Sequence, residues 1–195
     1  MYISIDLGGT NIRGAWVTAS GEYGQVMLYS RPRSLEGTKE SLKSLVMDLQ
    51  AQAPSQVQGI GLATAGPLDH RRRMYLNTTN MPELNHFRVG GFLEKSFSLP
   101  VRMENDAQAA ALGEVWAGGL AGADHAVVIT LGTGVGSGVI MDHEIWRGGH
   151  FTGPELGHVY LGPGPKRSCE IGASTLPSCG CGQVGCVEAW LHNNA

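Results

Sequence analysis

One design occurs twice in this chain, and it limits the folds open to it. An apolar, β-rich run ends in a glycine-threonine turn, and a second β-rich run follows at once. The first copy is Tyr2 to Leu7, then Gly8-Gly9-Thr10, then Ile12 to Thr18. The second is His125 to Leu131, then Gly132-Thr133-Gly134, then Val135 to Met141. Such runs on either side of a short glycine turn predict β-hairpins. A turn without Cβ atoms lets backbone N–H groups approach a ligand closely. Gly8 and Gly9 can offer amides to phosphate oxygens, Thr10 a hydroxyl, and Asp6 can reach a water in a Mg²⁺ shell. A tight hairpin holding no ligand is the plainer reading of either copy alone. Together they point to two lobes facing one nucleotide. Neither turn is a Walker A sequence or a Rossmann fingerprint, so those nucleotide folds are disfavoured.

The elements between the hairpins read as α/β. Leu42, Leu45, Val46 and Leu49 form an i, i+3, i+4, i+7 stripe that predicts a helix over 36–53 with one buried face. Gln25 to Ser30 and Val57 to Ala63 read as strands, and Gly66-Pro67 as a turn. Residues 69–82 read as loop, Val89 to Phe97 as a short helix, and Val101 to Glu104 as a strand. Asn105 to Trp116 reads as a helix with Asn105 or Asp106 as its N-cap. The chain from Gly148 onward is mostly loop, with a last helix starting at Val187 and running to His192. The order predicts a mixed sheet, with a break near Asp69 to Asn85 or after Met141.

The 195 residues include 42% apolar and 16% charged side chains, enough for a sizeable core. The net charge of −3 argues against nucleic-acid binding, and Arg71-Arg72-Arg73 reads as a solvated turn. The N-terminus has no leader pattern, and no stretch approaches the ~20 apolar residues of a membrane span. A cytoplasmic location is expected. Thiols stay reduced there, so the four cysteines read as metal ligands or free thiols rather than disulfides.

Two further motifs carry chemistry. Glu104-Asn105-Asp106-Ala107 opens a helix, where a carboxylate is ordinarily a cap; the alternative is a general base that takes a proton from an attacking hydroxyl. Glu155-Leu156-Gly157-His158 is followed by Cys179-Gly-Cys181 and Cys186-Val-Glu188. His158, Cys179, Cys181 and Cys186 make a Cys₃His set, a common structural zinc arrangement. Cys169 reads as a free thiol, and His70, His86, His125 and His143 as surface residues.

Taken in order, these pieces resemble the ROK family of sugar kinases and repressors, from residue 1 to about residue 190. The resemblance implies the two-lobed ribonuclease-H-like fold of the actin and hexokinase superfamily. One lobe would span residues 1–118, with an incomplete C-terminal lobe over 119–195. It implies ATP-dependent phosphorylation of a hexose or amino-hexose, with Asp106 as catalytic base. Asn105, Glu155, His158 and Glu188 would hold sugar hydroxyls, with Asn80 and Gly66 as additions. Asp6, Gly8, Gly9, Thr10 and Asn11 would hold the ATP phosphates and Mg²⁺, together with Gly132, Thr133 and Gly134. A structural Zn²⁺ on His158, Cys179, Cys181 and Cys186 would order the sugar-binding loop. Family kinases are commonly dimers or tetramers, so a homo-oligomer is expected. The sequence departs from the family in two places. Twenty residues separate His158 from Cys179, more than the family's loop, so 162–178 reads as an insertion. The chain also stops soon after the knuckle, which leaves a truncated, inactive sugar- or zinc-binding module as a competing expectation. A sugar-sensing regulator is disfavoured, because the first strand begins at Tyr2 with no DNA-binding module ahead of it.

Overall fold

The computed structural model describes residues 1–162 and 176–191. They fall into two compact units, Met1–Ala109 and Ala110–Ala195. Most of the expected insertion, including Cys169, and the end of the last helix at His192 lie outside the described residues.

The first unit is built on alternation. In β1 (Tyr2–Leu7) the side chains of Ile3, Ile5 and Leu7 are buried, while Tyr2, Ser4 and Asp6 face outward. β2 (Asn11–Val17) returns antiparallel to it, and β3 (Met27–Ser30) follows antiparallel to β2. α1 (Leu35–Gln52) crosses back to β4 (Ile60–Thr64), which lies parallel to β1. Ser34 caps α1, its hydroxyl accepting from the Gly37 N–H at 3.2 Å. Leu42, Leu45, Val46 and Leu49 of α1 are fully buried in the same cluster as β1 and β4. Each such side chain contributes roughly 1.5–3 kcal/mol by leaving water. Gly14 in β2 permits this packing, since a Cβ there would meet Leu45, Leu49 and the Ser4 carbonyl at 2.9–3.1 Å.

Two short strands, β5 (Leu68–Asp69) and β6 (Met74–Tyr75), pair as a ribbon. They lie in a region expected to be loop, and Arg71 to Arg73 form the turn at their tip. A 3-10 turn at Pro82–Leu84 was likewise unexpected. α2 (Val89–Phe97) leads to β7 (Val101–Asn105), parallel to β4. The sheet order is β3-β2-β1-β4-β7, a mixed sheet as the sequence implied.

α3 (Asp106–Ala117) starts in the first unit and ends in the second. The second unit then holds β8 (Ala126–Leu131), β9 (Val135–Met141) and β10 (Glu144–Ile145) in a three-stranded antiparallel sheet. A 3-10 turn at Leu156–His158 and α4 (Val187–Leu191) complete it. Its described core is small: Ala111, Ile140 and Ile145 in one cluster, and Cys179, Cys186 and Ala189 in another. No helix among the described residues is long and apolar enough to cross a membrane.

Candidate functional site

Register places the first unit's functional residues. Leu7, Thr64 and Asn105 are abreast at the ends of the parallel strands β1, β4 and β7. Everything that follows those residues therefore emerges at one edge: the Gly8–Thr10 turn, the Gly66–Pro67 turn and the start of α3. Open parallel sheets bind ligands at this edge. A buried hydroxyl chain ties it together, Tyr75 donating to Thr64 Oγ1 and Thr64 donating to the Leu7 carbonyl, each at 2.8 Å.

Asn105 is the cap of α3. Its Oδ1 accepts from the N–H groups of Ala107 at 3.1 Å and Gln108 at 3.3 Å. Gly66 lies beside it, where a Cβ would stand 3.6 Å from Asn105 Nδ2. Asp106 is the first helical residue, and its Oδ1 accepts from Ala107 N–H at 2.8 Å. Asp6 feels it. Burial pushes the Asp6 carboxyl above its ordinary value, Arg13 opposes this, and the charge of Asp106 adds to it. Two carboxylates close enough to sense one another suit metal and proton chemistry at phosphate.

Behind Asn105, His70 Nδ1 stands 3.4 Å from Glu104 Oε1 and 3.3 Å from the Met103 carbonyl, both side chains about nine-tenths buried. His70 was expected at the surface. Its partner lies on β7, and nothing local to His70 announces that pairing. His86, His125 and His143 are exposed as expected.

The first turn is closed by Gly8 N–H donating to the Asn11 carbonyl at 2.9 Å. Asn11 itself is the first residue of β2, paired with Ser30. A Cβ on Gly9 would meet only open space. Beside the turn is a cleft of about 390 Å³, lined by Gly9, Thr10, Arg31, Arg33, Asn80 and Glu83 among others. Asn80 follows a stapled bend, in which the buried Thr78 donates to the Met81 carbonyl at 2.8 Å and its N–H donates to Asn85 Oδ1 at 2.8 Å.

Arg31 and Glu83 were missed from sequence. Arg31 is 5% exposed. Its guanidinium donates to the Gly9 carbonyl from Nε at 3.0 Å and Nη2 at 2.7 Å, and pairs with Glu83 through Nη1. A lone arginine before a proline carries no signal that separates it from a solvated charge.

In the second unit, Gly132 N–H donates to the Gly134 carbonyl at 3.0 Å to close the β8–β9 turn. Val135 N–H donates to Glu188 Oε2 at 2.8 Å. Leu156 N–H donates to Ser137 Oγ at 3.0 Å, which seats the 155–158 turn on β9. Gly157 is required there, because a Cβ would run into the Val135 carbonyl. Glu155 adopts a left-handed φ of 42°, costly for a residue with a side chain.

The expected metal ligands come together. The ligand atoms of His158, Cys179, Cys181 and Cys186 all lie within 4.8 Å of one another. Cys179 Sγ is 3.6 Å from His158 Nδ1, and Cys181 Sγ is 3.8 Å from Cys186 Sγ. A tetrahedral zinc with ~2.3 Å bonds to sulfur has edges of about 3.8 Å, so the four donors fit the ion. Burial pushes the Cys179 thiol up to about 12, whereas the Gln183 backbone amide pulls Cys181 down. Glu188 Oε1 lies 3.6 Å from Cys179 Sγ, so one carboxylate touches both the cluster and the second hairpin. Of the expected sugar contacts, Asn80, Asn105 and Asp106 belong to the first unit and Glu155, His158 and Glu188 to the second.

The sequence pattern of the ROK family matches residues 2–195. The chain is 31% identical over 189 residues to a glucokinase from Thermotoga maritima, covering 96% of this chain and 56% of that protein. It is 35% identical over 190 residues to an N-acetylmannosamine kinase from Escherichia fergusonii, covering 96% and 60%. Among solved structures it is similar to a ROK family glucokinase from Streptomyces griseus in complex with glucose and AMPPNP, at 30% identity and a TM-score of 0.76 over 96% of this chain and 55% of that one. The fold is the actin- and hexokinase-like one, and the chain spans a little over half the length of the curated relatives it matches.

Proposed function

The chain belongs to the ROK family, and on that premise we propose that it serves ATP-dependent phosphorylation of a hexose or amino-hexose hydroxyl. The observation that carries this reading is the common edge of β1, β4 and β7. It gathers Asp6, the Gly8–Asn11 turn, Asn105 and Asp106 within one unit.

Asp106 accepts the proton of the sugar hydroxyl as its oxygen attacks the γ-phosphorus, and ADP leaves. Asn105 and Asn80 hold neighbouring hydroxyls, and Glu155, His158 and Glu188 hold others. A site built on carboxylates and amides rejects sugars that lack a hydroxyl it was shaped to bind. Gly8, Gly9, Thr10 and Asn11 offer donors to the phosphates, as do Gly132, Thr133 and Gly134. Bound Mg²⁺ supplies neutralisation of phosphate charge, and Asp6 is the side chain that would hold a water of its shell. His158, Cys179, Cys181 and Cys186 would hold Zn²⁺, whose role is to order the turn that carries Glu155 and His158. Glucose is supported by the glucokinase relatives and N-acetylmannosamine by the other group. A cytoplasmic homo-oligomer remains the expectation from the family.

The test is ADP production over a panel of hexoses and N-acetylhexosamines with zinc-replete protein and Mg²⁺. Asp106→Asn is expected to lower sugar-dependent turnover by about 10²–10⁴-fold. Turnover that persists in Asp106→Asn removes it as the base. Hexose binding without ADP release from folded wild-type protein replaces the kinase with a sugar-binding module.

A further inference from the structure

Arg31 makes a set of contacts that a purely structural ion pair does not need. Its Nε and Nη2 both donate to the Gly9 carbonyl, at 3.0 and 2.7 Å. Its backbone N–H donates to the Thr10 carbonyl at 2.8 Å. Nη1 meets the Glu83 carboxylate, Thr38 Oγ1 at 3.4 Å and the Pro32 carbonyl at 3.5 Å. Both carbonyls in the middle of the first turn are therefore held from one residue. The other end of the same guanidinium holds the segment that carries Asn80. Gly9, Thr10, Asn80 and Glu83 line one cleft with Arg31 between them.

This arrangement has directional consequences. A peptide whose carbonyl is pulled one way presents its N–H the other way. Tethering the Gly9 and Thr10 carbonyls thus fixes the direction of the Thr10 and Asn11 N–H groups, which belong to the same two peptide units. Among the described residues no protein group accepts from the Gly9 or Thr10 N–H. Burial raises the Glu83 carboxyl, but its hydrogen bond from Arg31, a backbone hydrogen bond and the charges of Arg31 and Arg33 outweigh this and hold it below its ordinary value, so it stays ionised as the partner. Only a planar fork reaches a carbonyl and a carboxylate at once in this way; an ammonium does not.

We propose that Arg31 is a positioning residue that fastens the phosphate-binding turn to the Asn80–Glu83 segment, so that nucleotide and hexose contacts are set by one shared guanidinium. The inference rests on the kinase reading and deepens it. Arg31 touches neither substrate; it acts through Gly9, Thr10 and Glu83.

The test uses Arg31→Lys, Glu83→Gln and the double variant in the full chain, read in two ways. In kinetics, each single variant is expected to raise the KM for ATP and the KM for hexose together by about tenfold, the size of one lost charge-assisted hydrogen bond. kcat stays close to wild type, and the double variant is no worse than either single one. In amide hydrogen exchange, Arg31→Lys speeds exchange at Gly8 and at residue 31, whose N–H groups bond to the Asn11 and Thr10 carbonyls, and leaves Ile3 and Ile5 unchanged. A merely structural pair would lower the melting temperature and the active fraction with both KM values kept, and that result overturns the proposal. So do additive effects in the double variant. If wild-type protein releases no ADP, the kinase reading fails and exchange alone decides: unchanged exchange at Gly8 and at residue 31 in both Arg31→Lys and Glu83→Gln overturns the proposal. Glu83→Gln keeps the arginine in place and serves where Arg31→Lys does not fold.

Discussion

The two glycine hairpins look alike in sequence and are held by opposite charges. At the first, a cation pulls on backbone carbonyls, Arg31 gripping Gly9. At the second, an anion takes a backbone amide, Glu188 accepting from Val135. Beside the first turn the cleft carries Arg33 and the Arg31–Glu83 pair, whereas the second turn has a carboxylate beside it. The second turn is tied through Glu188 to the Cys/His cluster, 3.6 Å away at Cys179. Similar turn sequences are thus anchored differently, the first by a buried guanidinium and the second by a carboxylate that also touches the Cys/His cluster.

Removing metal should separate the two most. Chelation is expected to loosen the knuckle that carries Glu188, because small metal sites fold with their ion. Amide exchange at Gly132 and Val135 should then rise by about 100-fold or more, while Gly8 stays protected. Equal loosening of both hairpins would erase the distinction. A smaller effect comes from Glu188→Gln, which keeps an acceptor for Val135 and removes the charge. The KM for ATP should fall by about two- to threefold, worth ~0.5 kcal/mol, while hexose binding weakens. An unchanged or higher KM for ATP would mean that the Glu188 charge does not oppose phosphate.

The smallest effect concerns Asp6. Its carboxyl is raised in the fold, chiefly by burial, so the ionised form disfavours folding above that value. Asp6→Asn should therefore melt at a higher temperature than wild type at pH 7. The gain should shrink as the pH falls toward 3.8, where the unfolded carboxyl also takes up its proton. A lower melting temperature at pH 7 would show that Asp6 is stabilised in the fold.

The parts of the fold that were legible in sequence are those whose signal is local. Ile3, Ile5 and Leu7 alternate, and Leu42, Leu45, Val46 and Leu49 repeat at helical spacing, so β1 and α1 could be read directly. The ribbon of β5 and β6 could not, because two-residue strands have no period to detect. The same division runs through the site. The Cys₃His set and the Asn105-Asp106 start of α3 show themselves as short motifs. Arg31 and Glu83 do not. They are 52 positions apart and meet only because β3 and the Pro82–Leu84 turn border one cleft. His70 is the same case, its burial decided by Glu104 on a strand not yet formed when only its neighbours are read.

The abreast ends of β1, β4 and β7 carry a consequence for how the protein is made. Synthesis proceeds from the N-terminus, so β1 and its turn exist well before their parallel neighbours. Thr64 must emerge before its hydroxyl can reach the Leu7 carbonyl, and β7 must emerge before Asn105 and Asp106 come into line. Parallel pairing across such long connections is intrinsically slow. A ribosome-bound chain that ends before β7 holds the glycine turn without Asn105 and Asp106. The shared edge of the first unit is therefore completed late, when β7 docks at the border of the sheet.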